Sequence, residues 1–223
     1  MKIIYTDVFG YSIICVGLCF TFMGVIIMNN NFINRKDRII ASAIEIISEA
    51  GFASLTTKTL AMKENMSESL LYRYFGGIEE VLVEVVEVFT KFDKGIINTI
   101  DAKDIPHLDR VVEFIKTLAT NYTGYPELAG IALNYEVFLH NVNTRDMMAE
   151  CLTNRRNYLL KELQAAIDND ELDSDFTAEE LSNMILGTLN RDLLNRRLMN
   201  DNRSHEQVSN EWLTKLLNHI RKN

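Results

Sequence analysis

The sequence predicts an all-α protein: an N-terminal three-helix head, then a larger helical domain, preceded by an apolar segment long enough to be a transmembrane helix. Three observations lead there. Only two prolines and ten glycines occur in 223 residues, so long helices can run with few breakers. Apolar residues recur at spacings of three and four through most of the chain, the period of one helix face. No alternating run bounded by turn residues marks a strand. With 47% hydrophobic residues, the chain has apolar side chains enough for one or two compact cores. The expected division is 1–34 for the apolar segment, 35–80 for the head and 81–223 for the remaining helices.

Val8 to Met28 carries no charge, and its 21 residues suffice to cross a bilayer as a helix. Gly10, Gly17 and Gly24 recur every seven residues, which would put them near one face. Arg35, Lys36 and Arg38 follow, so a span would leave the rest of the chain in the cytoplasm, tethered to the inner face of the membrane. Two readings stay open. The segment anchors the chain, or translation starts at Met28 and the preceding residues are upstream read-through.

In the head, Ile39, Ala43, Ile46, Ile47 and Ala50 form one stripe of a first helix. Gly51 stops it, because glycine reaches left-handed backbone without steric cost. Thr56 or Thr57 caps a second helix from Lys58 to about Glu64, with Leu60 and Ala61 inward. Asn65 can take the left-handed turn, and Met66 fills the angle between helices. Ser67 caps a third helix, leaving Glu68, Ser69, Leu70, Tyr72 and Arg73 near its exposed start while Leu71 and Phe75 point inward. Helix, turn and exposed helix in that order make a helix-turn-helix, which sets its last helix into the major groove of DNA.

The string Gly51-Phe52, Thr56-Thr57, Leu60-Ala61, Met66-Ser67, Leu71-Tyr72, Tyr74-Phe75 and Glu80 to Leu82 resembles the DNA-binding domain of the TetR family of bacterial transcription regulators. Asn65 stands where that family usually has glycine, and Ile78 where it usually has a lysine that reaches a phosphate. The resemblance implies a dimeric regulator without a cofactor. It would repress transcription from a near-palindromic operator until a small-molecule effector releases it. Expected DNA contacts are Thr57, Lys58, Ser67, Ser69, Leu70, Tyr72, Arg73 and Tyr74. Residues 35–80 hold six basic and seven acidic residues, so phosphate attraction is modest. That balance keeps open an alternative: a membrane-associated protein-interaction module of the same fold without DNA binding.

Beyond the head, Ile78, Val81, Leu82, Val85, Phe89 and Phe92 run along a connecting helix that Lys94-Gly95 weakens. Helices follow from Leu108 to about Tyr122, from Glu127 to about His140, and from Arg145, capped by Thr144, to about Asn169. Thr177 with Glu180 and Ser204 with Gln207 are capping boxes for two last helices, joined by so short a spacer that they must be antiparallel neighbours. Their stripes include Leu181, Met184, Ile185, Leu189, Trp212, Leu216 and Ile220. Such stripes suit either the interior or a two-fold partner. The resemblance favours the partner, with Leu181, Ile185, Leu189, Trp212, Leu216 and Ile220 at the dimer interface.

Leu118, Tyr122, Tyr135, Phe138, Met147 and Cys151 lie on the middle helices and supply the adaptable apolar and hydroxyl groups of a ligand pocket. By the resemblance they are the expected effector contacts. Catalysis has no visible residues: no phosphate loop, nucleophile elbow or Cys/His constellation occurs, so an enzyme is not expected. Cys15, Cys19 and Cys151 form no metal-ligand spacing, and Glu136 with His140 is read as a solvated pair, not a metal site.

Overall fold

The computed structural model describes residues 4–6, 12–14, 34–199 and 203–222. Ten α-helices occur among these residues. They are α1 Arg35–Ala50, α2 Thr57–Lys63, α3 Glu68–Leu71, α4 Ile78–Asp101 and α5 His107–Gly124. α6 Pro126–Leu133, α7 Tyr135–His140, α8 Arg145–Asp168, α9 Ala178–Met199 and α10 His205–Ile220 complete them. The all-helical body matches expectation. Two short strands, β1 Ile4–Thr6 and β2 Ser12–Ile14, pair antiparallel with Tyr5 opposite Ile13, where none was expected. Ser12–Ile14 falls inside the segment read as a membrane span and is strand, not helix. The rest of Val8 to Met28 lies outside the described residues. Among the described residues no helix is long and apolar enough to cross a membrane.

The head folds as its caps dictate. Asn34 accepts from the Asp37 amide at 3.0 Å to start α1. Gly51, at φ 82°, ends it. Thr56 and Thr59 close a reciprocal capping box on α2. Asn65, at φ 51°, makes the left-handed turn, and Ser67 Oγ accepts from the Leu70 amide at 3.2 Å to start α3. Ile39, Ala43, Ile47, Leu60, Leu71 and Phe75 are buried together. Ala50 is exposed, three residues beyond Ile47, the last buried residue of the stripe.

The body departs from expectation at four places. α4 runs unbroken through Lys94-Gly95. The expected helix to His140 is two, α6 and α7, split at Asn134. Thr144 precedes α8 without capping it; its hydroxyl donates instead to the Phe138 carbonyl at 2.8 Å. The fourth concerns the stripes of α9 and α10. Leu181, Ile185 and Leu189 are at most 2% exposed and Ile220 5% exposed within the single chain. α9 packs on α8 and α6, while α10 packs on α5, so these apolar faces are already consumed. Within the single chain those four residues are interior. Trp212 and Leu216 are half-buried, and the Trp212 indole donates to Asp192 at 2.7 Å.

Head and body share one continuous core. α1 lies along α6. Phe52, in the turn after α1, meets Phe138 of α7 edge-on with ring centroids 5.9 Å apart. Glu79, in the first turn of α4, accepts from Asn141 and Asn143 at 2.6 and 3.2 Å. Arg197 of α9 donates to the Ser48 carbonyl near the end of α1 at 2.6 Å.

Candidate nucleic-acid interface

α2 and α3 meet across the Asn65 turn, and their outer faces form one surface. Tyr72 is 54% and Tyr74 37% exposed. Ser67, Ser69, Lys58 and Arg73 are exposed or half-buried at this surface, as are Thr57 and Leu70. All eight side chains assigned to DNA contact therefore lie on α2, α3 or the turns that flank α3. Ser67 and Ser69 hydroxyls are 2.9 Å apart. The Thr57 hydroxyl donates to Glu68 Oε2 at 2.6 Å, tying α2 to the start of α3.

The electrostatics of this face are sparer than the count of basic residues implies. Arg38 pairs with Glu64 at 3.0 Å, and Glu64 also accepts from Ser42 at 2.8 Å. Arg35 donates to the Glu64 carbonyl at 3.5 Å. Lys36 pairs with Glu84 at 2.5 Å, a bond that holds its pKa above the usual lysine range. Lys63 pairs with Glu45 at 2.8 Å and with Glu49 at 3.5 Å; the Glu45 bond likewise raises its pKa. These pairs tie α1 to α2 and α4. Among the described residues Lys58 and Arg73 make no ion pair, and both are exposed beside α3. They are the cations the head offers a phosphate backbone.

Most of the expected ligand-contact residues are packed in the interior. Leu118, Tyr122, Phe138 and Cys151 are buried at 2% exposure or less, Met147 is half-buried, and Tyr135 is 37% exposed. Tyr122 and Cys151 meet at a buried ion pair that reading the sequence does not reveal. Arg155 donates to Asp93 from Nε and Nη2, lies 4.8 Å from the Phe89 ring centroid, and donates from Nη1 to the Tyr122 hydroxyl at 3.0 Å. The Cys151 thiol donates to Asp93 at 3.2 Å. Burial, reinforced by the Asp93 charge, pushes that thiol up to about 12, so it is no nucleophile near neutral pH. One signal was available: Asp93 sits on the stripe of Phe89 and Ile96, where a carboxylate needs a partner. Two shallow surface depressions lie elsewhere, along α5, and Asp109, Val112 and Lys116 line both. Glu136 and His140 form an exposed pair at 3.4 Å.

Comparisons with known proteins agree with this geometry. The family model described as bacterial regulatory proteins, tetR family, matches residues 39–85. The nucleoid occlusion factor SlmA of Vibrio cholerae is 25% identical over 167 residues, 73% of this chain and 85% of that protein. The ketosteroid transcriptional regulator KstR2 of Mycobacterium tuberculosis superposes with a TM-score of 0.74 at 15% identity, covering 85% of this chain and 96% of that one. FadR from Bacillus subtilis, solved with stearoyl-CoA, superposes with a TM-score of 0.66 at 21% identity, covering 79% of this chain and 95% of that one.

Proposed function

We propose that this chain, which carries the DNA-binding head of the tetR family of bacterial transcription regulators over residues 39–85, is a dimeric repressor that a small molecule releases from its operator. The observation that carries DNA reading is the solvent-facing surface of α3 and the turns that flank it, where Ser67, Ser69, Tyr72, Arg73 and Tyr74 stand outside the core while Leu71, on the inner side of the helix, is buried. Recognition helices of this kind enter the major groove start first. Hydroxyls and Arg73 hold phosphates, and Ser69 and Leu70 reach base edges.

Two heads on a near-palindromic site sit about 34 Å apart. The second copy docks on the residues that α9 leaves uncovered. Met184, Leu194 and Leu198 are 44%, 37% and 64% exposed, and their spacing lays them along one side of the helix. Gly187 on that side has open space around it, so a partner backbone can approach closely. Trp212 and Leu216 of α10 are half-buried, and Trp212 reaches α9 at Asp192.

Effector control fits the connection between head and body. α6, the α7–α8 loop, α9 and α7 grip the head at Ser48, Glu79 and Phe52. A ligand that separates α5 from α8 shifts this grip and with it the spacing of the heads, which changes DNA affinity. FadR, solved with stearoyl-CoA, supports a small-molecule effector in this fold.

One observation favours the protein-interaction alternative: Lys58 and Arg73 are the exposed cations left without an ion pair among the described residues of the head. The two readings part in a mobility-shift assay with mixed genomic duplex at low salt. A retarded band that weakens with salt supports the regulator. No retardation at any salt concentration refutes it.

A further inference from the structure

Glu68, at the start of α3, is not one of the ion-paired carboxylates. Glu45, Glu64 and Glu84 are paired with Lys63, Arg38 and Lys36, and Glu80 accepts from the Gly76 amide at 2.6 Å. Glu68 is exposed at the first position of α3 and makes no ion pair among the described residues. Its partner is a hydroxyl, Thr57 Oγ1 on α2, at 2.6 Å. That bond occupies Oε2 and leaves Oε1 to face a ligand.

The first residues of a recognition helix are those that reach base edges. A carboxylate there is repelled by guanine O6 and N7 and by thymine O4, which are all acceptors. It is attracted by the exocyclic amino groups of cytosine and adenine. Adenine's amino group has the N7 acceptor beside it, whereas cytosine's has only a C–H. We infer that Glu68 is a base-reading residue selecting cytosine at one position of each half-site, with Thr57 as the positioning residue that aims it. The inference rests on the DNA-reading role proposed above.

The test is selection of bound sequences from a randomised duplex library by the full chain, with Glu68→Ala, Glu68→Gln and Thr57→Val compared with the original. The original enriches cytosine at one fixed position per half-site. Glu68→Ala loses about tenfold preference there and keeps the preferences at neighbouring positions. Glu68→Gln turns the preference toward adenine, whose N6 and N7 a glutamine amide reads together. Thr57→Val weakens the cytosine preference without abolishing it. Unchanged sequence profiles in Glu68→Ala and Glu68→Gln, with all duplexes bound more tightly, overturn the inference alone, since Glu68 then merely repels phosphate. If the original chain enriches no sequence, the proposed function fails and the inference with it. All three substitutions lie at exposed or half-buried positions, and an unchanged thermal transition verifies folding.

Discussion

Gly130 of α6 lies so close to Ser48 of α1 that a Cβ at Gly130 would meet Ser48 Cβ and Oγ at 2.7 Å and Cα at 2.8 Å. The head is therefore seated on the body through a gap that only glycine leaves open.

Gly130→Ala is expected to force α1 and α6 apart and to destabilise the chain by about 1–3 kcal/mol, the usual cost of overpacking. Operator affinity should fall as well, because α1 carries the rest of the head. Thermal melting and a mobility shift measure both effects. Adding Ser48→Gly should recover only part of the loss, since the Ser48 backbone still blocks the new methyl group.

Asp93→Ala is expected to leave the buried Arg155 guanidinium without its counter-charge and to cost about 3–5 kcal/mol. Replacing both, as Asp93→Leu with Arg155→Met, should cost markedly less, because no charge is then stranded. Urea denaturation of the two variants checks this. Equal losses would show that packing, not charge, governs the site.

His205 gives a pH dependence. Burial, aided by the nearby Arg196 charge, lowers its pKa from 6.5 to about 4. The unfolded chain therefore takes up a proton first as the pH falls, and stability drops between about pH 6.5 and pH 4. His205→Phe, which keeps the ring against Tyr122, should flatten stability over that window. A curve as steep as the original's would assign the acid loss to carboxylates.

Tyr72→Ala with Arg73→Ala is expected to abolish operator binding while leaving sedimentation unchanged. The salt slope should be small for a regulator: with two free cations per head, log affinity falls with log salt at roughly −4 for a two-headed complex, given about −0.9 per phosphate. Lys58→Ala should lower the magnitude by about 1 per head. A slope far steeper than this would mean that the ion pairs of Arg38, Lys36 and Lys63 open on DNA.

Leu198→Glu with Met184→Glu is expected to give a monomer by sedimentation with an unchanged melting temperature at low concentration. Leu189→Ala should act differently, costing about 2–5 kcal/mol as a core truncation. If Leu189→Ala instead dissociates a dimer of undiminished stability, the α9 stripe is the interface after all.

The head can be read directly along the chain. Its helices are short and are bounded by local chemistry: Thr56 and Ser67 as caps, Gly51 and Asn65 as left-handed turns. Each acts within a few residues of itself, so position in the sequence suffices. The exposed face of α3 was legible for the same reason. The neighbours of the long helices emerged only from packing. An apolar stripe such as Leu181, Ile185 and Leu189 states that it must be covered but not by what, and within the chain α8 and α6 cover it. The ion pairs that quiet Lys36, Arg38 and Lys63 link different helices. Asp93 and Arg155 lie 62 positions apart. Coulomb attraction depends on distance in space, which becomes fixed only when the helices pack.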